Sequence, residues 1–320
     1  MRVHHLNCVS ACPLGGLLMD GISSKSLRGR LTSHCLLLEL ADTLVLVDTG
    51  YGLRDVADPR SRLSKVFLAL VKPELREEMT AIRQIARLGF RPQDVRHVLL
   101  SHLDFDHAGG LDDFPWATVH LLGEELHAAT SRSTLLDRMR YRPQQWSTRD
   151  LWRTYPLQQG ETWRGFTFVR EIPGLGPDVL MVPLIGHTLG HAGFLLRRDT
   201  NWLFYAADAY FYHAEMDRNP HCTPGLRLYQ TMMEKDRTLR LANREALRRL
   251  RCTHADVELF SAHDTIEFER LSGRSFRDPV PENPRLQQRE NGGQASHIDP
   301  ANEAYSESKS GDKAHVPFTP

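Results

Sequence analysis

Four side chains that can bind metal fall within six residues: His102, Asp104, Asp106 and His107, in Ser101-His102-Leu103-Asp104-Phe105-Asp106-His107-Ala108-Gly109-Gly110. Two imidazoles and two carboxylates form a ligand set suited to zinc or another divalent transition metal. The stretch follows the apolar run Val95 to Leu100, which reads as a buried strand ending at Ser101. A turn just past a strand is held by the sheet yet open to solvent, so its polar groups can converge on a ligand. The plainer reading is a polar loop with helix-capping aspartates.

Other residues of the same types sit at similar places. Asp48 closes the apolar run Leu44-Val45-Leu46-Val47 and leads into Thr49-Gly50. It can point into a site or close its strand as an Asx-turn. His187 lies in Gly186-His187-Thr188-Leu189-Gly190-His191, after the run Val179 to Val182. Asp208 follows Trp202-Leu203-Phe204-Tyr205, and His263 follows Val257 to Ser261. Each has a bland explanation alone. Together they share ligand chemistry and a place just beyond a strand.

These residues need strands that share an edge, and the chain supplies candidates. Residues 1 to about 50 read as sheet, with a hairpin across Ala41-Asp42-Thr43. Residues 66–71 form a short apolar helix. Residues 74–88 predict an amphipathic helix, with Leu75, Met79, Ile82 and Ala86 on one stripe and Gly89 as its cap. Strand 117–122 and helix 124–130 follow. Residues 131–150 read as a surface excursion whose Leu135, Met139, Tyr141 and Trp146 form an apolar underside, either ordinary packing or a wall or lid over the site. Strands return at 166–169 and 179–182, then a hairpin of 193–196 with 202–205. A helix spans 225–250 and a last strand 257–261. The expected folded domain is residues 1–275. Residues 276–320, rich in Pro, Asn, Gln, Ser, Glu and Gly, read as a disordered tail.

Composition narrows the function classes. The 320 residues carry 40 Lys plus Arg against 40 Asp plus Glu, so no basic field points to nucleic acid or an anionic membrane. No apolar run is long enough to span a bilayer and the N-terminus lacks a signal-peptide core, so the expected location is the cytoplasm. Five cysteines, an odd number, fit free thiols in a reducing compartment. Cys8 and Cys12 have no second pair to complete a metal site and read as buried thiols.

The ordered set Asp48, His102-x-Asp104-x-Asp106-His107, Gly186-His187-Thr188-x-Gly190-His191, Asp208 and His263 resembles the metallo-β-lactamase superfamily of metallo-hydrolases over roughly residues 1 to 272. The resemblance implies an α/β fold, an αββα sandwich with a dinuclear site at one edge. It implies one metal on His102, Asp104 and His187, a second on Asp106, His107 and His263, and Asp208 bridging them. Asp48 would orient a ligand from outside, and His191 would not be a ligand. The departure is Asp104, where the family usually has histidine. A carboxylate is a harder ligand, so two zinc ions are expected with iron or manganese as the alternative.

The mechanism implied is metal-assisted hydrolysis by a metal-bridging hydroxide, with Asp106 able to hold its proton. A tyrosine near the site could serve as oxyanion donor, and in the family's lactonase branch a tyrosine lies three residues after the bridging aspartate. Here that position is Phe211, which leaves Tyr210 and Tyr212 as candidates, with packing as their other role. The expected substrate is a small carboxyl ester or lactone, acyl-homoserine lactone among them, with residues 66–71 and 135–146 walling an acyl pocket. Alternatives are iron-dependent oxygen or sulfur chemistry, a phosphodiesterase and a non-catalytic binding protein.

Overall fold

Alternation along the strands assigns side chains to layers. In β2 (His34–Glu39) and β3 (Leu44–Val47), Leu36, Leu38, Val45 and Val47 face one side, and Leu37, Leu44 and Leu46 the other. Both faces are apolar, so this sheet is covered on both sides. The computed structural model describes residues 1–283 except Asp42.

Two six-stranded sheets result. The first runs β1-β2-β3-β4-β5-β6, adding β1 (Arg2–Asn7), β4 (Val95–Leu99), β5 (Thr118–Leu122) and β6 (Trp152–Tyr155). Strands β1 to β3 pair antiparallel, and β3 to β6 parallel. The second contains β7 (Glu161–Trp163), β8 (Phe166–Glu171), β9 (Val179–Pro183), β10 (Ala192–Arg198), β11 (Asn201–Tyr205) and β12 (Val257–Phe260). Its order is β12-β11-β10-β9-β8-β7, antiparallel except for the β11–β12 pair.

Between the sheets Leu36, Leu38, Val47 and Leu99 pack against Met181, Phe194, Leu203 and Phe260. On the outer face of the first sheet, Leu37, Leu46 and Val98 meet Ala81 and Ile85 of the helix Ala81–Arg87. On the outer face of the second, Leu195, Phe204 and Leu259 meet Leu247 and Leu250 of the helix Arg237–Thr253. Helix, sheet, sheet, helix is the αββα sandwich expected. Each buried leucine contributes about 1.5–3 kcal/mol relative to exposure.

Several boundaries differ from expectation. The helix expected over 74–88 is a 3-10 turn, Glu77–Met79, and then Ala81–Arg87, broken at Thr80. The helix expected over 225–250 is two, Pro224–Met233 and Arg237–Thr253, because Asp236 caps the second through Leu239 N. The folded region passes residue 275. Phe276 and Val280 are buried, Arg87 Nε donates to the Val280 carbonyl at 2.7 Å, and Asn283 N to that of Arg87 at 3.1 Å. The tail expectation for residues 284–320 lies outside the described residues.

The excursion 131–150 also differs. Its helix Leu135–Arg140 leaves Leu135 and Met139 exposed, at 73% and 52%, while Tyr141 and Trp146 join the core outside the first sheet. A short bridge pairs Tyr141 with Asp104. The buried side of this segment is thus built from its far end.

Candidate metal centre

The parallel strands β3 and β4 deliver Asp48 and the 101–107 turn to one edge of the sandwich. Asp48 N donates to Leu99 O at 2.9 Å, and Ala192 N at the start of β10 donates to Ser101 O at 2.9 Å, tying in the second sheet. His191, Asp208 and His263 arrive from β10, β11 and β12. Ala206 N donates to Phe260 O, and Ala262 N to Ala207 O.

Three imidazoles are aimed by a hydrogen bond at Nδ1, which turns Nε2 toward the cluster. His107 Nδ1 is 2.8 Å from Asp48 Oδ2. His263 Nδ1 is 2.6 Å from the Thr32 carbonyl. His102 Nδ1 is 2.9 Å from Ser101 Oγ, whose hydroxyl donates to Asp48 Oδ2 at 2.7 Å. Asp48 also accepts from Ser101 N and from Tyr205 Oη, both at 2.7 Å.

The aimed atoms converge. His102, Asp104 and His187 place one donor atom each within 4.8 Å of one another, as do His102, His107 and Asp208, and Asp106, His107 and His263. Asp208 lies between the groups, with Oδ1 3.2 Å from His107 Nε2 and 3.1 Å from His263 Nε2, and Oδ2 3.4 Å from His187 Nε2. All seven candidate ligands thus form one cluster. His191 instead holds the backbone of Asp208. Its Nδ1 is 3.0 Å from Leu184 O, and its Nε2 accepts from Asp208 N at 3.0 Å.

Electrostatics keep the cluster ready for a cation. Burial opposes charge on Asp208, yet His263 and His107 hold its carboxyl well below the usual range. Burial likewise opposes charge on Asp104, and Arg140, then His102, reverse it. Burial and the neighbouring Arg140 depress His187 to about 4, so its ring is neutral at pH 7. His102 Nε2 is buried without a hydrogen-bond partner. Such groups are costly to bury unless something binds them. The nitrogen and oxygen donors therefore fit divalent metal ions.

Two buried groups had no signal in the sequence. Glu125 accepts from Leu103 N at 2.9 Å, Thr188 Oγ1 at 2.5 Å and Gly190 N at 3.1 Å, so one carboxylate joins the 102 turn to the 187 turn. A Cβ at Gly190 would fall 2.1 Å from Glu125 N, which requires glycine there. Arg140 is also buried, with Nη2 2.8 Å from Asp104 Oδ2. Both act on residues distant in sequence, so only an unpaired charge in a mixed segment could have flagged them.

The tyrosines are distributed differently from expectation. Tyr210 is buried and donates to Glu267 Oε1 at 2.8 Å, on the helix Thr265–Ser272. Tyr212 packs against His213 and His221 in tilted and edge-on contacts, with its hydroxyl against Gly21. Those contacts engage both away from the cluster, because alternate residues after Asp208 point outward while Phe211 turns in and stacks on His263 at 4.9 Å. Tyr51 and Tyr229 instead line a cavity with Phe67, Val71, Phe211, Asp106 and His263. Phe67 and Val71 of the 66–71 segment line this cavity, and no residue of 135–146 does.

A two-sheet sandwich that gathers seven His and Asp side chains at its strand ends carries a candidate metal centre. The metallo-β-lactamase superfamily model matches residues 28–250. A probable metallo-hydrolase of Mycobacterium tuberculosis is 35% identical over 265 residues, covering 82% of this chain and 80% of that protein. An N-acyl homoserine lactonase of Bacillus cereus is 30% identical over 129 residues, 39% of this chain and 52% of the lactonase. Among solved structures, an N-acyl homoserine lactone hydrolase with N-hexanoyl-L-homoserine at its catalytic metal centre aligns with TM-score 0.64 and 19% identity, covering 87% of this chain and 98% of that one. The chain belongs to the metallo-β-lactamase superfamily and is a metallo-hydrolase.

Proposed function

We propose that the chain hydrolyses a small carboxyl ester or lactone with an apolar acyl portion, with N-acyl homoserine lactones as the leading substrate class. The observation that carries this is the cavity lined by Met19, Leu31, Phe67, Val71 and Phe211 together with Asp106 and His263 of the cluster. An acyl chain held there puts its carbonyl beside the cluster. The similarity to N-acyl homoserine lactonases supports the same class.

His102, Asp104 and His187 would hold one divalent ion and Asp106, His107 and His263 a second, with Asp208 beside both groups; zinc would suit these imidazole and carboxylate donors. When bound, such ions lower the pKa of water and polarise a carbonyl oxygen. The protein's own residues do the rest. Asp106 faces the cavity, its side chain 18% exposed against 4% for Asp208. It accepts the proton released as water adds to the carbonyl and returns it to the alkoxide when the ring C–O bond breaks. Tyr229, which lines the same cavity as Asp106 and His263, would donate to the carbonyl oxygen in the role expected of Tyr210 or Tyr212. Asp48 and His191 hold His107 and Asp208 in place.

The partner is a small molecule, and the five free cysteines suit a reducing cytoplasm. Among the described residues no helix is long and apolar enough to cross a membrane. The test is a turnover panel of lactones, aliphatic esters and phosphodiesters with metal-reconstituted protein. Ring opening that rises with acyl length and is lost in Asp208→Ala supports the reading. Turnover confined to phosphodiesters, or none on any lactone or ester, overturns it.

A further inference from the structure

Arg140 is the last residue of the helix Leu135–Arg140, and its side chain is fully buried. Helix capping by Thr134 and the Lys235–Asp137 ion pair at 2.7 Å anchor that helix. The guanidinium is held from behind: Nη1 donates to the carbonyls of His187 at 3.0 Å and Met233 at 3.2 Å. Its front edge faces the donor cluster. Nη2 is 2.8 Å from Asp104 Oδ2 and 3.0 Å from His187 Nε2, and Nε is 2.8 Å from Asp104 Oδ1.

One guanidinium nitrogen therefore engages two of the three donor atoms of the His102/Asp104/His187 group. A lone pair on His187 Nε2 that accepts an N–H cannot coordinate a metal at the same time. Arginine does not lose its proton to relieve the conflict. A divalent ion must displace Nη2 and then sit beside a buried cation. The Asp106/His107/His263 group meets no such rival. Its charged neighbours are Asp48 and Asp208, and among the described residues no lysine or arginine pairs with it.

We propose that Arg140 is a built-in competitor for the first metal position, paired with Asp104, so that the two positions fill in sequence: Asp106/His107/His263 tightly, His102/Asp104/His187 more weakly. This rests on the reading that the centre takes two ions. Arg140 also supplies the charge that makes the Asp104–Arg140 pair neutral overall, as the family's usual histidine is. Aspartate at 104 and arginine at 140 are thus a matched exchange, and each alone is a mismatch.

The experiment is zinc binding by full-length protein under chelator-buffered free zinc, read as zinc per chain by elemental analysis. Wild type is expected to retain one zinc and to take the second only at about 10–100-fold higher free zinc, the range over which residues behind a metal ligand change affinity. His263→Ala should lose the tight zinc and His187→Ala keep it. Arg140→Met should bring the two steps together. Asp104→His alone should lose the second zinc, and Asp104→His with Arg140→Met should regain it. The double variant buries no unpaired charge, so it serves if Arg140→Met fails to fold. Both zincs filling together in wild type, or the steps staying apart in whichever Arg140→Met form folds, overturns the inference and leaves the two-ion reading standing. No stoichiometric zinc in any form overturns both.

Discussion

Asp48 shows how much of the centre depends on a residue outside the ligand set. Four donors converge on its two oxygens: Ser101 N, Ser101 Oγ, Tyr205 Oη and His107 Nδ1. It accepts them from a left-handed backbone conformation, φ 53°, that aspartate tolerates better than most residues. Asparagine keeps the shape but turns an amide N–H toward groups that are already donors. Asp48→Asn should therefore weaken metal binding by about 10–100-fold, since the aim of His107 Nε2 is lost. Competition against a chromophoric chelator measures this, and unchanged affinity would mean that His107 is oriented by packing alone. Glu125 makes the companion case. Glu125→Gln replaces an acceptor of Leu103 N, Thr188 Oγ1 and Gly190 N by a group with one acceptor oxygen. Loss of a charge-assisted bond to a buried acceptor costs about 1.5–3 kcal/mol, read as a lower midpoint in urea.

At the scale of elements, the centre was legible wherever chemistry and strand endings coincide. Val47-Asp48, Leu100 to His107 and Phe260 to His263 each show an apolar run giving way to a ligand type, and the sheets do bring those ends together. What the sequence hid depends on partners far along the chain. Arg140 lies 36 residues from Asp104, in a segment whose Leu135 and Met139 suggested an apolar underside. They are exposed because the capping box of Thr134 and Asp137 turns the helix so that Arg140 and Tyr141 face inward. Tyr210 and Tyr212 misled for a related reason: alternation after Asp208 could be counted, but the facing Glu267 could not. The helix Arg237–Thr253 was recognisable by its stripe, yet its start depends on Asp236 as cap. That helix supports the second sheet rather than the chemistry. Leu247→Ala, which empties a fully buried position there, should cost about 2–5 kcal/mol in denaturant stability while leaving turnover per folded molecule unchanged.

For the whole molecule, the sandwich closes where β1 and β2 meet β12. His5 Nδ1 lies 2.9 Å from His34 Nε2, and both rings pack on Phe260. Burial, then the charges of Arg198 and Arg274, lower His5 from 6.5 to about 3. A group whose folded pKa is depressed gives stability that is present above pH 6.5 and lost as pH falls toward 3, because only the unfolded chain takes the proton readily. The slope from His5 is about 1.4 kcal/mol per pH unit over that window. Urea melts from pH 7 to 4 should show it, added to the like contribution of the neighbouring His34, and His5→Gln should reduce the slope; an unchanged slope would assign the acid sensitivity to other groups. Above all, this sandwich is held to use its metal cluster to open an acyl lactone or ester. The direct measurement is ring opening of N-hexanoyl homoserine lactone by chelator-stripped protein before and after zinc is restored, beside Asp208→Ala treated alike. Turnover should appear with zinc in wild type and stay absent in the variant. Turnover by the stripped protein, or equal turnover by Asp208→Ala, would refute a metal-dependent lactonase.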